Sequence, residues 1–381
     1  MSSFQWGLTP DDMNFWGKLR QISWGQVLLV CMLACTGFTC LYSAAGGDLD
    51  KWASPQIMRF LFALGMMIAI AMTNLRWIYR LAWPFYGMTI ILLIFVDVFG
   101  HIGMGAQRWL NLGIIKIQPS ELAKIATVLA LARFYHTRDL VEVRRLKNIL
   151  FSCAIIAVPF VLVVAQPDLG TAMAISFAGI AMLFVAGVSI WIFIAGAVGV
   201  AALIPIAWQF MHDYQQKRVL IFMDPESDPL GAGFHITQSK IALGSGGVSG
   251  KGFMQGTQSH LNFLPEKHTD FIFTLFAEEW GLMGGLALLT ILGFIILYGY
   301  WIAFRCRNQF ARLVAFGLTF NFSVYVIVNI GMVMGLLPVV GIPLPLMSYG
   351  GTAMLTVMAA FGIIQSCSVH RDIRISKGLL G

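Results

Sequence analysis

The chain has 381 residues, of which 58% are hydrophobic and 11% are charged. Soluble domains carry roughly 45–50% apolar and about 25% charged residues, so this composition excludes a soluble protein and indicates one helical membrane domain. The net charge of +7 does not indicate nucleic-acid binding, because most of the positive residues follow the membrane topology described below.

Ten hydrophobic segments approach the length of about 20 residues that a membrane-spanning helix needs. The first begins in an uncharged run from Ile22 to Gly47, which is longer than the apolar core of a signal peptide and therefore predicts a membrane helix. Glu121 and Lys124 interrupt the fourth segment, and a short turn at 187–189 separates the sixth from the seventh. The predicted spans are residues 24–43, 57–75, 78–97, 119–134, 149–165, 169–188, 190–210, 271–301, 313–335 and 344–368.

The positions of lysine and arginine set the orientation of these spans. With a cytoplasmic N-terminus, the positive residues concentrate in the cytoplasmic segments, as the positive-inside rule requires. The sequence therefore predicts an all-α polytopic membrane protein with ten transmembrane helices and both termini in the cytoplasm. Residues 1–23 form the N-terminal segment, 24–369 a single membrane domain, and 370–381 a cytoplasmic tail.

One large external loop, residues 211–269, connects the seventh and eighth predicted spans. Loops of this length are usually functional or disordered. The apolar residues Phe222, Phe253 and Phe263 argue against disorder, and the stretch Ile236–Leu243 predicts a short helix at the membrane surface. The external segment Gly103–Glu121 is predicted to be a second, shorter loop.

Asp270 is the first candidate for a catalytic residue, because it directly precedes the apolar eighth span. The helix dipole at this point favours an ionised carboxylate, whereas partial burial opposes it, and this combination suits a general base. Thr269 or Asp270 is predicted to cap the helix, and a plain helix cap is the alternative interpretation of Asp270. Glu266 and His268 in the same stretch are predicted to support its charge.

Glu121 and Lys124 form a second candidate set in the stretch Gln118–Lys124. They are three residues apart, so they lie on the same side of a helix that begins near Pro119. Two interpretations follow. The two residues neutralise each other within the membrane, or Lys124 pairs with a carboxylate on another helix, for which Asp270 is a candidate.

Gln107, Arg108 and Trp109 form a third set in the loop before this helix. Arginine suits bidentate binding of phosphate. Tryptophan stacks on sugar faces, but it is also a common anchor at the membrane interface, and both interpretations stay open for Trp109.

The glycine-rich stretch Gly244–Gly252, which contains Lys251, is the fourth set. It departs twice from the nucleotide-binding P-loop pattern and is predicted to be external, so it is either a flexible turn or a backbone nest for an anion. Glu266, His260 and His268 lack a recognised metal-ligand spacing. The sequence therefore predicts no metal ligands, and it leaves a divalent cation open as a cofactor.

Three motifs resemble the SEDS family of shape, elongation, division and sporulation proteins. They are QPSELAK (118–124), FLPEKHTDFIF (263–273) and GIPLPLMSYGG (341–351). The predicted ten spans with one large loop between the seventh and eighth also match the family, over residues 20–370. Residues 244–281 look more like the elongation member of the family than the division member.

This resemblance implies a peptidoglycan glycosyltransferase of the bacterial inner membrane that polymerises lipid II and supports cell elongation and rod shape. The implied partners are lipid II, the growing glycan chain, a class B penicillin-binding protein and other membrane proteins of the elongation complex. By the same resemblance Asp270 is the catalytic position, and the Arg108–Trp109 and Glu121/Lys124 positions line or support the same external cavity.

An α-linked pyrophosphate donor and a β-1,4 product require inversion at the anomeric carbon. Asp270 is then the base that deprotonates the acceptor hydroxyl, and Arg108, Lys240 and Lys251 are candidate contacts for the departing pyrophosphate. Two other functions fit the same spans and charges: a flippase for the lipid precursor, and a non-catalytic scaffold for the transpeptidase.

Overall fold

The computed structural model describes residues 14–103, 106–111, 116–210, 216, 220–224, 228, 232–260, 267–373 and 375. Within this part the chain is mostly helical. A π-helical turn, Leu49–Ala53, leads into the third helix. The helices are α1 Phe15–Gln21, α2 Trp24–Ala44, α3 Ser54–Met72, α4 Leu75–Phe99, α5 Pro119–His136, α6 Leu140–Val143, α7 Leu146–Ala165, α8 Leu169–Ala186, α9 Ile190–Phe210, α10 Ala232–Ser245, α11 Thr257–His260, α12 Ile272–Arg305, α13 Gln309–Val333 and α14 Gly351–Val369.

Each predicted span overlaps one long helix of the structure. By length and composition, eight of the described helices are able to cross a membrane. The turn between α8 and α9 lies where the sequence predicts it, at Gly187, which adopts a φ of 104°. The predicted surface helix at Ile236–Leu243 is part of the longer α10.

The helix α5 lies at the centre of the bundle, packed against α4, α7, α8 and α13. Almost all of its residues are buried, including Glu121 and Lys124. Because its neighbours are protein and not lipid, polar side chains on these neighbours are able to satisfy its charges. This position explains how the fourth predicted segment forms a long helix although charges interrupt its apolar sequence.

Three short strands follow α4 at residues 101–117, within a described chain that is otherwise mostly helical. They are β1 His101–Gly103, β2 Ala106–Asn111 and β3 Lys116–Ile117, which pair antiparallel in the order β1-β2-β3. Gly103 faces Ala106 across the first pair, and Leu110 faces Ile117 across the second. Strands of two to six residues are too short to give a clear alternation in the sequence.

The last helix starts later than its hydropathy indicates. Residues 341–350 are not helical, and α14 begins only at Gly351. Pro343 and Pro345 lack the N–H groups that a helix interior needs, and Gly341 adopts a φ of 72°. This non-helical segment replaces the first turns of the predicted tenth span.

A second break lies inside α12, at Gly281, whose φ is 64° and ψ −164°. The segment Gly246–Gly252, here called the glycine loop, packs into this break. The N–H groups of Lys251 and Gly252 donate to the carbonyls of Glu278 and Glu279, at 3.1 and 3.0 Å. In return, the N–H of Leu282 donates to Gly247 at 2.9 Å. The glycine loop thus satisfies backbone groups that the broken helix leaves open.

The close approach of these two backbones requires glycine. A Cβ atom on Gly281 would lie 2.3 Å from the Gly250 nitrogen, and one on Gly250 would lie 2.1 Å from the Glu279 oxygen. Both residues also have positive φ angles. The many glycines of this stretch therefore serve packing and conformation, and the loop forms a hydrogen-bonded turn against α12.

We predict that Gly281→Ala destabilises the protein, because it combines a left-handed conformation with a backbone clash. With φ 64° and ψ −164°, Gly281 lies in a backbone region that is essentially restricted to glycine, which costs another residue about 1–3 kcal/mol. The measurement is the apparent unfolding temperature of the purified protein in detergent. Gly244→Ala is the matched control, because Gly244 lies in α10 with open space around its Cβ position. Equal unfolding temperatures for the two variants would contradict this account of the break.

Candidate active site

Asp270 lies in a tight turn immediately before α12, with a half-buried side chain. The N-cap of α12 is Phe271, and no side chain caps this helix. The prediction that Thr269 or Asp270 is the cap is therefore wrong. The reason is tertiary: the backbone of residues 268–270 is held by other parts of the chain before the helix begins.

Three consecutive carbonyl groups of this turn accept hydrogen bonds from residues that are distant in sequence. The Tyr349 N–H donates to His268 O at 2.8 Å. The Ser348 hydroxyl donates to Thr269 O at 2.6 Å, and Asn329 Nδ2 donates to Asp270 O at 2.9 Å. The position of Asp270 is thus fixed through its backbone by residues of α13 and of the segment before α14.

The donors of these bonds are themselves held in place. Asn329 Nδ2 also donates to Ile342 O at 2.7 Å, and the Ser348 hydroxyl accepts from the Leu344 N–H at 2.8 Å. Gln56, fully buried in α3, donates to Ser348 O at 3.1 Å. The non-helical segment 341–350 and the turn before α12 therefore form one hydrogen-bonded unit.

The Asp270 carboxylate faces this segment. Its Oδ2 atom lies 3.5 Å from the position that a Cβ atom on Gly341 would occupy. Any side chain at Gly341 would contact the carboxylate and would also strain a backbone with positive φ. Gly341 therefore keeps the space beside the Asp270 oxygens open.

A group of basic and aromatic residues surrounds the same turn. Trp52 stacks on the His268 ring with centroids 4.4 Å apart, and Lys51 Nζ lies 4.6 Å from the Trp52 centroid. The Arg59 guanidinium lies 5.1 Å from the Tyr349 ring. Burial and, second, the positive charge of Lys51 lower the pKa of Lys267. We call Lys51, Arg59 and Lys267 the basic group.

The sequence did not point to the part of this arrangement that comes from the turn Leu49–Ala53 and α3. The available signal was weak: one lysine and one tryptophan, at a position where interfacial aromatic residues are common. Among the predicted supporting residues, His268 lies in the site, and Glu266 lies outside the described residues.

Glu121 and Lys124 form the predicted pair inside the bundle, with Lys124 Nζ 2.7 Å from Glu121 Oε1. Lys124 also donates to the Tyr325 hydroxyl and lies 3.7 Å from the centroid of its ring. The Thr356 hydroxyl donates to the second Glu121 oxygen at 2.9 Å. Of the two carboxylates considered as partners of Lys124, Glu121 is the one that it contacts in the structure. A second carboxylate, Asp168, is close enough to act electrostatically on Lys124.

Two cavities adjoin this charge cluster. One has a volume of about 410 Å³, with Glu121 and Lys124 beside apolar walls that include Phe322 and Phe361. The other, of about 310 Å³, lies between Glu121, Tyr325 and segment 343–350. The segment that holds the Asp270 backbone therefore also lines a cavity that reaches the buried cluster.

Arg108 binds the turn before α8. Its Nε donates to Gln166 O at 3.1 Å and its Nη2 to Pro167 O, and Nη1 lies 3.9 Å from Asp168 Oδ1. Arg108 is partly exposed, and Asp168 also accepts from Gln118 Nε2 at 3.1 Å. The guanidinium is thus oriented by α8 beside the Glu121 cluster. Trp109 is half-buried, and the side chain of Gln107 lies outside the described residues.

Lys251 and Lys240, the other two candidate contacts for pyrophosphate, lie in different surroundings from Arg108. Lys251 Nζ lies 2.7 Å from Glu278 Oε1, an oxygen that also accepts from the Gln258 N–H at 2.9 Å. Glu278 is completely buried. Lys251 is therefore the counter-ion of a buried carboxylate, and its contact with pyrophosphate stays a prediction. Lys240 is exposed on α10, with its side chain against Gly335.

The glycine loop is likewise not an anion nest, because the N–H groups of Gly250, Lys251 and Gly252 are used inside the protein. Over the part of the chain that the structure describes, no group of three or more His, Cys, Asp or Glu residues is placed to hold a metal ion.

Comparison with known proteins identifies the family. The model of the FtsW, RodA and SpoVE family, described as cell cycle protein, matches residues 24–373. This chain belongs to that family. The resemblance in the three sequence motifs is thereby confirmed.

Relatives extend over nearly the whole chain. The peptidoglycan glycosyltransferase MrdB of Escherichia coli is 48% identical over 97% of this chain and 99% of its own length. The peptidoglycan glycosyltransferase RodA of Treponema pallidum is 30% identical over 93% of this chain and 100% of its own length.

Two solved structures share the fold. One belongs to a study of how a peptidoglycan synthase complex coordinates polymerization and crosslinking, with a TM-score of 0.79 and 32% identity over 92% of this chain and 98% of that chain. The other is the rod shape determining protein RodA of Thermus thermophilus, with a TM-score of 0.71 and 27% identity over 93% of this chain and 98% of that chain.

We predict that Lys251→Met destabilises the protein, because it leaves the buried Glu278 carboxylate without its counter-ion. Breaking one side of a buried ion pair costs about 3–5 kcal/mol, and the partial exposure of Lys251 places the loss toward the lower end. The measurement is thermal unfolding in detergent. The double variant Lys251→Met/Glu278→Gln should recover much of the loss. A Lys251→Met protein with normal stability but weakened substrate binding would instead support the pyrophosphate assignment.

Proposed function

We propose that this chain is a peptidoglycan glycosyltransferase that polymerises lipid II into β-1,4-linked glycan strands and serves cell elongation and rod shape. The observation that carries the proposal is the half-buried Asp270 carboxylate, set beside the basic group by three hydrogen bonds to the backbone of residues 268–270. The names of the E. coli and T. pallidum relatives support the same activity.

Asp270 acts as the general base in this proposal. Its carboxylate accepts the proton from the 4-hydroxyl of the acceptor sugar while that oxygen attacks the anomeric carbon of the donor. The bond from this carbon to the pyrophosphate breaks on the opposite face, so an α-linked donor gives a β-linked product. Three hydrogen bonds to the backbone of residues 268–270 keep this carboxylate aligned, and a general base needs such alignment.

The departing undecaprenyl pyrophosphate gains negative charge, and the site needs fixed positive charge to stabilise it. The basic group lies around the turn that carries Asp270, and Arg108 lies beside α8. We assign the pyrophosphate contacts to Lys51, Arg59, Lys267 and Arg108. The aromatic faces of Trp52 and Trp109 are suited to stack on sugar rings.

Glu121 and Lys124 have a positioning role in this proposal. Their ion pair, with Tyr325 and Thr356, joins α5, α13 and α14 below the segment that holds Asp270. Lys124 thus acts on the reaction through the arrangement of helices, without contact to Asp270.

The membrane arrangement is ten transmembrane helices in the bacterial inner membrane, with both termini in the cytoplasm and the loop 211–269 outside. The distribution of lysine and arginine supports this orientation. It places Asp270 and the basic group at the outer face, where lipid II is exposed to the periplasm. A class B penicillin-binding protein is the proposed partner, and likeness to a structure of a peptidoglycan synthase complex supports it.

We predict that Asp270→Asn lowers polymerisation by about 10²–10⁴-fold, the range of a general base. The assay is glycan formation by the purified protein from lipid II that is already exposed in detergent, with and without the partner. Asparagine preserves the shape of the side chain, so the unfolding temperature should stay unchanged.

The same assay separates the two alternative functions. A flippase forms no glycan from exposed lipid II, and a scaffold is insensitive to Asp270→Asn. Full polymerisation by the Asp270→Asn protein would refute the assignment of the base.

Asn329→Ala removes the hydrogen bond to Asp270 O and so lets the Asp270 carboxylate shift. We predict that this lowers kcat by about tenfold or more, because a misplacement of about 1 Å can cost about 10²-fold in rate. The substrate contacts remain, so KM should change little. Ser323→Ala is the matched control: Ser323 is also buried in α13, but its hydroxyl donates within that helix to Thr319 O. Equal kcat values for the two variants would exclude a positioning role for Asn329.

A further inference from the structure

A basic pocket lies at the end of α12 that is farthest from Asp270. It is formed by the start of α2 and the ends of α12 and α14 and has a volume of about 790 Å³, open to the surroundings. From the break at Gly281, α12 continues for 24 residues to Arg305, which is roughly 36 Å of helix. The pocket is therefore on the opposite side of the bundle from the proposed active site and is independent of it.

Three arginines line this pocket: Arg20, Arg305 and Arg371. Arg371 is 3.5 Å from Asp372, which also pairs with Arg307 outside the pocket at 3.2 Å. Across the described ranges no other carboxylate forms an ion pair with the three arginines. The pocket thus keeps a surplus of positive charge, carried by Arg20 and Arg305.

Two tryptophans place the pocket at the depth of the lipid headgroups. Trp24 and Trp301, which line it, are 48% and 46% exposed, as is typical of the aromatic belt at a membrane interface. The Arg305 guanidinium lies 4.4 Å from the Trp301 ring centroid, which orients its planar N–H groups.

The surface of α12 beside the pocket is apolar. Phe304 and Leu297 are 74% and 63% exposed, so they face the hydrocarbon region when the helix spans a membrane. The floor of the pocket is polar, because the hydroxyls of Ser23 and Ser368 lie 2.8 Å apart there. A ligand that fits has an anionic head and long apolar chains.

We propose that this pocket binds the phosphate of an anionic phospholipid from the membrane leaflet opposite to Asp270. Arg20 and Arg305 bind the phosphate oxygens, the tryptophans flank the glycerol region, and the acyl chains lie along α12. A zwitterionic lipid carries the same phosphate but also an ammonium group, which the arginines repel. A soluble phosphate lacks the chains that the face of α12 accommodates.

The test uses the full chain in detergent micelles, with lipid binding measured by native mass spectrometry. The probes are phosphatidylglycerol, phosphatidylethanolamine and inorganic phosphate. We expect phosphatidylglycerol to bind most tightly. The double variant Arg20→Gln/Arg305→Gln should bind it about 25-fold more weakly, from about fivefold for each arginine. Arg80→Gln is the matched control, because Arg80 lies near Trp77 in a similar pair outside the pocket.

Each outcome decides the proposal. Selective binding of phosphatidylglycerol that the double variant loses and Arg80→Gln keeps would support it. Equal binding of the two phospholipids, or equal loss in both variants, would overturn it. If inorganic phosphate displaces phosphatidylglycerol fully at similar concentration, the pocket binds a soluble anion and not a lipid, which would also overturn the proposal. A shared unfolding temperature of the variants would exclude misfolding as the cause of a loss.

Discussion

Backbone groups that leave helical geometry inside a membrane must find polar partners within the protein, because lipid offers none. This constraint organises both irregular parts of the fold. At Gly281 the glycine loop supplies the partners, and the loop in turn carries Lys251 to the buried Glu278. At segment 341–350, Asn329, Ser348 and Gln56 supply them. Asn329 and Ser348 also donate to the turn that carries Asp270. The residues that stabilise the irregular segment 341–350 therefore also hold the proposed base in place.

The charged groups within the bundle follow a related rule. Glu121 and Lys124 are tolerated on α5 because helices surround it and because Tyr325 and Thr356 complete their hydrogen bonds. Such a cluster links three helices through short polar contacts, and a change in one contact is therefore transmitted to the others. This links the interior of the bundle to the segment beside Asp270.

Hydropathy was sufficient to predict the long helices, since lipid-facing residues impose a strong and continuous apolar signal. It failed where hydrogen bonds between distant residues decide the structure. The strands at 101–117 and the late start of α14 are of this kind. The site shows the same division. Asp270 and Glu121/Lys124 were predictable, because charges next to apolar segments are conspicuous. Asn329, Trp52 and Arg59 were not, because only the fold brings them to Asp270. The Lys251–Glu278 ion pair was not predictable either, because the two residues lie in different elements.

The most direct test of the account is the side of the membrane to which Asp270 opens. In a variant without native cysteines, Asp270→Cys and Arg305→Cys are each treated with a membrane-impermeant maleimide in right-side-out vesicles. The account predicts that the first variant reacts from outside and that bound lipid II protects it, whereas the second reacts only after the membrane is opened. Reaction of the Asp270→Cys variant only after opening, or no protection by lipid II, would contradict the proposed active site.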